Sequence, residues 1–263
     1  MNKEKFIYNF SDFSNFMCVR GDYNQFISIY RKNMNIPILV DTKTGKFSRK
    51  FLGSHKNDVI NNGFFFKNYN KFLTVSRRGE ARIWDITSGE CLSTFTHWED
   101  TEALDEILSC AIHPDQNIVA LGGDYGVVIF NINSGKVIDE YLHDYGNLAS
   151  YVRKVLFTPN GRYILSASED WTMRLWDIDK KKVVRIFKND KSEVGWLSCA
   201  IHPNGKEIFS VCDPENVVLW DLESGKEIRY YHGHADSVAI LSCNLSSDGK
   251  WAISGSFDGE LII

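Results

Sequence analysis

VLFTPNGRYILSASEDWTMRLWD, residues 155–177, contains three short apolar runs separated by Pro-Asn-Gly and by Glu-Asp-Trp. Alternating runs bounded by Asn, Gly and Asp mark strands joined by tight turns, so the stretch predicts three strands in succession. The pattern recurs in degraded form along the chain. Its closing pair has counterparts at Val40-Asp41, Trp84-Asp85, Phe130-Asn131 and Trp220-Asp221, spaced 44, 46, 46 and 44 residues apart. Other columns keep step. Cys18, Cys110, Cys199 and Cys243 share one with Val155. A turn follows the pair at Thr44-Gly45, Ser88-Gly89, Ser134-Gly135 and Ser224-Gly225, and a strand then ends on Phe51, Phe95, Tyr141, Phe187 or Tyr231.

The totals narrow the class. The 263 residues are 43% hydrophobic and 24% charged, as in an ordinary soluble globular protein. A net charge of −4 and a pI near 6.0 argue against a general nucleic-acid binder, which carries a basic surplus. The N-terminus, MNKEKFIYNFSDF, lacks a signal-peptide core and no run approaches a membrane span, so no membrane partner is expected. Six cysteines without a CxxC pair suggest reduced thiols and a cytoplasmic location.

A repeat of this length with Trp-Asp closing its third strand resembles the WD-repeat (WD40) family, and the likeness covers nearly the whole chain. It implies an all-β propeller of four-stranded antiparallel blades, a to d, around a channel lined by strand a. The expected organisation is one domain, 1–263: a closing strand at 5–10, blades at about 13–52, 55–95, 97–141, 143–187 and 190–231, and an incomplete sixth blade at 233–263 that lacks its own fourth strand. Seven blades are expected instead if the chain is a fragment, a reading suggested because the sequence stops where the sixth Trp-Asp falls due. Pro37 stands in the third strand of blade 1, an awkward place for a residue without an N–H. Lys181 replaces glycine in the turn column; positive φ there costs a lysine roughly 1 kcal/mol unless the turn differs.

Blade 4 brings His143, Ser166 and Asp170 near Trp176, a set that invites a hydrolase reading. No nucleophile elbow surrounds Ser166. The resemblance implies a structural hydrogen-bonded chain instead, in which indole donates, serine does both and aspartate fixes the histidine tautomer. The other blades keep parts of it: His55, Thr74 and Trp84 in blade 2, with Arg78 in the aspartate column; Ser210 and Trp220 in blade 5; His234, Ser254 and Asp258 in blade 6. Blade 3 has Ala120 and Phe130 in two of the slots. His113 and His202, each before proline in the a–b turn, lack a third ligand and metal spacing. No metal, cofactor or small-molecule substrate is expected.

In the family, the d–a loops and b–c turns share a partner-binding face. Blades 1 and 2 contribute Arg31, Arg77 and Arg78 to it, whereas blades 3 to 5 contribute Trp98, Glu99, Asp100, Glu102, Asp144, Tyr145, Glu169 and Trp171. Aromatics beside charges suit interaction hot spots. The expected function is therefore a non-catalytic scaffold for protein–protein interaction that presents peptide-binding loops, with a basic segment as its partner. The alternative is a sensor or substrate-recognition domain of a larger signalling or enzymatic protein. An enzymatic propeller would need polar groups in strand a, whose columns are mostly Cys, Val, Leu and Phe.

Overall fold

The computed structural model describes residues 13–19, 25–30, 36–51, 55, 58–68, 70–95, 106–124, 126–143, 150–189, 198–211, 216–234, 239–257 and 259–263; for 13–19, 29 and 30 the backbone alone is described. The chain divides into two compact units, 1–97 and 98–263. In the first, β1 (Phe13–Val19), β2 (Gln25–Tyr30), β3 (Ile36–Asp41) and β4 (Phe47–Lys50) form one antiparallel sheet, and β5 (Ile60–Phe65), β6 (Lys71–Ser76), β7 (Ala81–Asp85) and β8 (Cys91–Phe95) form the next. The second unit continues with β9 (Ile107–Ile112), β10 (Ile118–Gly123), β11 (Gly126–Asn131) and β12 (Val137–Leu142). Then come β13 (Val152–Phe157), β14 (Tyr163–Ser168), β15 (Met173–Asp177) and β16 (Lys182–Phe187). Its last sheets are β17 (Ser198–Ile201), β18 (Glu207–Val211), β19 (Val217–Asp221) and β20 (Glu227–Tyr231), and a three-stranded one of β21 (Ile240–Leu245), β22 (Ala252–Ser256) and β23 (Leu261–Ile262). Every pairing joins chain neighbours, and no helix occurs among the described residues. Among the described residues the fold is all-β, with six propeller-type blades. The closing strand expected at 5–10 lies outside the described residues.

The second residue of each Trp-Asp slot, Asp or Asn, works on the turn, not the strand. Asp41 Oδ1 accepts from Thr44 N at 2.7 Å, Asp85 from Ser88 N at 2.7 Å, Asn131 from Ser134 N at 2.9 Å, Asp177 from Lys180 N at 2.9 Å and Asp221 from Ser224 N at 2.7 Å. A short side-chain oxygen that binds backbone two or three residues on closes such turns. The next turn position has φ of 65° at Gly45, 81° at Gly89, 68° at Gly135 and 73° at Gly225, and Lys181 adopts 51° in the same column. The positive φ is therefore kept in blade 4, and lysine bears the left-handed conformation. Its Nζ lies 3.3 Å from Asp139 on β12. The strand-d column of Asp139 holds Arg49 and Arg185 in other blades, and these donate to Ser88 O and Glu223 O in the turn of the following blade. Lysine in the turn thus coincides with acid on the strand that faces it.

Pro37 sits at the end of the β3–β4 pairing. It lies opposite Phe51, one residue past the last β3–β4 pair, Ile38–Lys50, and its carbonyl accepts from Phe51 N at 3.0 Å. Only the return bond to Phe51 is forgone, at the last position of this ladder, and Pro37 keeps its place opposite Ile29 on β2.

Within residues 98–263, successive blades bury their faces on one another. Leu165, Ala167, Met173 and Leu175 of blade 4 pack with Cys199, Ile208, Val218 and Trp220 of blade 5. Burying each of the larger side chains is worth roughly 1.5–3 kcal/mol. The a–b turns add polar latches. His113 Nε2 donates to Gly161 O at 2.9 Å and His202 Nε2 to Gly249 O at 3.1 Å. Nδ1 of each accepts from Asp115 N or Asn204 N, which places the proton on Nε2. These histidines join one blade to the next. In blade 6 the residues in register with Met173 and Leu175 are Leu261 and Ile263, 71% and 78% exposed.

Candidate functional site

Strand b, the b–c turn and strand c of blade 4 converge on one buried cluster. Trp176 Nε1 donates to Ser166 Oγ at 2.8 Å, Ser166 Oγ lies 2.6 Å from His143 Nε2, and His143 Nδ1 lies 2.9 Å from Asp170 Oδ2. The indole can only donate, so the polarity runs one way: tryptophan to serine, serine to histidine, histidine to aspartate. Burial holds the His143 pKa down, the Asp170 carboxylate works the other way and Arg174 adds to the lowering. The ring is therefore neutral and can accept at Nε2. Burial would raise the Asp170 pKa, but His143, Thr172 and Arg174 hold it below the usual carboxylate range. Arg174 Nη2 reaches the same Oδ2 at 2.9 Å. Arg174 and Thr172 were not among the residues singled out in the sequence; their signal is Thr-x-Arg two and four places after the aspartate.

Chemically, the cluster is closed. Ser166 is fully buried, His143 3% and Asp170 6% exposed. The serine oxygen already accepts from an indole and faces a neutral imidazole, so the geometry is that of a satisfied network.

The other blades show how the network tolerates loss. In blade 2, His55 Nε2 lies 2.8 Å from Thr74 Oγ1, to which Trp84 Nε1 donates at 2.8 Å. Arg78 stands in the aspartate column, but the acid comes from Glu80, two residues later, with Oε2 at 2.7 Å from His55 Nδ1 and Oε1 at 2.7 Å from Arg82 Nη2. The longer side chain spans the shift. Burial pulls Glu80 upward, yet His55 and Arg82 outweigh it and hold its pKa at about 2. Blade 5 keeps the Trp220–Ser210 bond at 2.8 Å, and blade 6 the His234–Ser254 contact at 2.8 Å. Blade 3 replaces both slots with Ala120 and Phe130, both fully buried. Asp258 lies outside the described residues.

Of the residues expected on the loop face, Arg31, Trp98, Glu99, Asp100, Glu102, Asp144 and Tyr145 lie outside the described residues. Arg77 and Arg78 are exposed in the b–c turn of blade 2, which Asp58 closes by accepting from Arg78 N at 2.7 Å. In the matching turn of blade 4, Glu169 pairs with Arg153, whose guanidinium also lies 5.6 Å from the centroid of the Tyr151 ring. Glu169 is therefore half of an ion pair. Beside it Trp171 is 45% exposed with φ +65°. Among the described residues no group of three His, Cys, Asp or Glu could hold a metal ion.

Comparison with known proteins matches the family described as "WD domain, G-beta repeat" at residues 140–177 and 225–263, the segments that contain the blade 4 network and blade 6. The chain is 29% identical over 143 residues to guanine nucleotide-binding protein subunit beta of Saccharomyces cerevisiae, a match covering 52% of this chain and 32% of that protein. It is 27% identical over 136 residues to human pre-mRNA-processing factor 17, covering 50% and 21%. It is 33% identical over 88 residues to the bovine serine-threonine kinase receptor-associated protein, covering 33% and 24%. The matched stretches span a third or less of each of these relatives.

Proposed function

We propose that this chain, a WD-repeat protein, is a non-catalytic cytoplasmic scaffold that docks protein partners on the loop face of its blades, a basic segment among them. One observation carries the reading. The serine, histidine and aspartate that could have done chemistry are buried and consume one another's hydrogen bonds, while Trp171, in the turn beside them, is exposed. Two of the relatives are named as a "subunit beta" and a "receptor-associated protein", members of assemblies, which supports an assembly role here.

The test is affinity capture with the tagged chain, followed by mass spectrometry of what it retains, beside a Glu99→Lys/Asp100→Lys variant. A reproducible set of retained proteins that the charge-reversed variant loses is expected. Equal retention by both would remove blade 3 from the docking face, and hydrolysis of ester or peptide substrates by the purified chain would overturn the non-catalytic reading.

A further inference from the structure

Three residues other than glycine have positive φ among the described residues: Gln116, Trp171 and Lys181. Each replaces a residue type that other blades fill with glycine. In the b–c turn the counterparts of Trp171 are Gly79 with φ 78° and Gly259 with φ 86°. A left-handed residue with a Cβ costs roughly 1–2 kcal/mol, and such strain persists only where the surroundings over-determine it. Here they do. Asp170 Oδ1 accepts from Thr172 N at 2.9 Å and from Thr172 Oγ1 at 2.6 Å, and Asp170 N donates to Ser168 Oγ at 3.1 Å. Ser168 N closes the turn on Thr172 O at 3.1 Å, while Oδ2 of the aspartate is anchored by His143 and Arg174. A rigid turn therefore holds a large aromatic at an unfavourable φ and leaves it 45% exposed. Closing the turn does not by itself require this side chain, since glycine closes the same turn in blades 2 and 6. In the sequence, Tyr125 gives blade 3 an aromatic in the same column.

From these observations, and resting on the docking role proposed above, we infer that Trp171 is the pre-organised anchor of the partner site, and that it receives a lysine or arginine side chain of a basic protein segment over its indole face. Cations are attracted to the face of an indole, and an anchor fixed before binding loses little freedom on complex formation. The net charge of its own unit favours a cationic partner. Residues 98–263 carry 26 Asp and Glu against 15 Lys and Arg, a net −11, whereas residues 1–97 carry 8 against 15, a net +7. Glu169, the residue before Asp170, is already paired with Arg153, so the attraction for a cation comes from the net charge of the unit and the indole face, not from this carboxylate.

The test uses the full chain and a fluorescein-labelled dodecapeptide alternating Lys or Arg with Ser and Leu, read by fluorescence anisotropy. Versions of the peptide with Glu or Gln at the cationic positions serve as controls. The cationic peptide should bind at least tenfold tighter than either control. Trp171→Gly, which restores the residue of blades 2 and 6, should weaken that binding about tenfold or more while melting within a few degrees of the parent. Trp171→Asn tolerates the left-handed turn and should behave alike, and Trp171→Tyr should restore most of the binding. Unchanged affinity in Trp171→Gly, equal binding of the anionic peptide, no binding of the cationic one, or a loss of more than about 5 °C in melting temperature in both Gly and Asn variants would overturn the assignment. Loss of captured proteins in the Glu99→Lys/Asp100→Lys variant together with intact peptide binding by Trp171→Gly would sink this anchor alone and leave the scaffold role standing.

Discussion

Ser166→Ala removes the oxygen on which the blade 4 network turns. Two groups are stranded by it: Trp176 Nε1, which donates to that oxygen at 2.8 Å, and His143 Nε2, 2.6 Å away. Both residues are buried, at 6% and 3% exposure, so water cannot take the serine's place without entering the blade. A buried donor or acceptor left unsatisfied costs about 1–3 kcal/mol, and two partly relaxed ones about 2–4 kcal/mol. At roughly 2–4 °C per kcal/mol for a chain of this size, the melting temperature should fall by about 5–15 °C in a circular-dichroism melt. Adding Trp176→Phe removes the stranded indole donor and recreates the pairing of Ala120 with Phe130 that blade 3 uses. The double variant should therefore be less destabilised than the sum of the single ones, by about 1 kcal/mol. Strict additivity, or a Ser166→Ala protein within about 0.5 kcal/mol of the parent in urea unfolding, would refute the network as a source of stability.

Two further outcomes follow from the same geometry. Burial lowers the pKa of His143 and His55 in the folded chain, so as pH falls below the unfolded value of about 6.5 the unfolded chain takes up protons first. The stability that the neutral rings contribute is complete above that pH and is lost as pH drops through their folded values; melts between pH 7.5 and 5 should show this decline, and His143→Gln should flatten it. Lys181→Gly should raise the melting temperature by about 1–3 °C relative to Lys181→Ala by relieving the φ of 51°, since both variants equally lose the pair with the largely buried Asp139.

The blade plan was legible because the repeat is long and its punctuation physical: Asp or Asn followed three residues later by Thr, Ser or Lys closes the c–d turn in five blades, and alternation sets the faces. The left-handed strain at Lys181 could be anticipated for the same reason, by reading it against four glycines. What escaped were compensations between columns. Glu80 supplies the acid that Arg78 lacks from a position two residues away, which a column-by-column comparison scores as a loss. Arg153 neutralises Glu169 from the neighbouring strand, so the charge of that turn could not be counted from the turn alone. The His-Pro turns were recognisable as turns, but a histidine reaching a glycine carbonyl 48 residues on in the next blade leaves no local trace.

Blade 4 holds both the fullest hydrogen-bonded network and two of the three strained residues, Trp171 and Lys181, and the first pairing has a physical basis. Asp170 is at once the last member of the network and the residue that closes the turn carrying Trp171: one carboxylate oxygen meets His143 and Arg174, the other meets Thr172. Fixing the carboxylate from the core side makes the turn stiff enough to hold an aromatic where glycine would relax. In blade 2 the acid sits on Glu80, after the turn instead of within it, and the turn position there is Gly79. The buried network and the half-exposed indole are in this sense one device, in which core hydrogen bonds set the conformation of a residue at the surface.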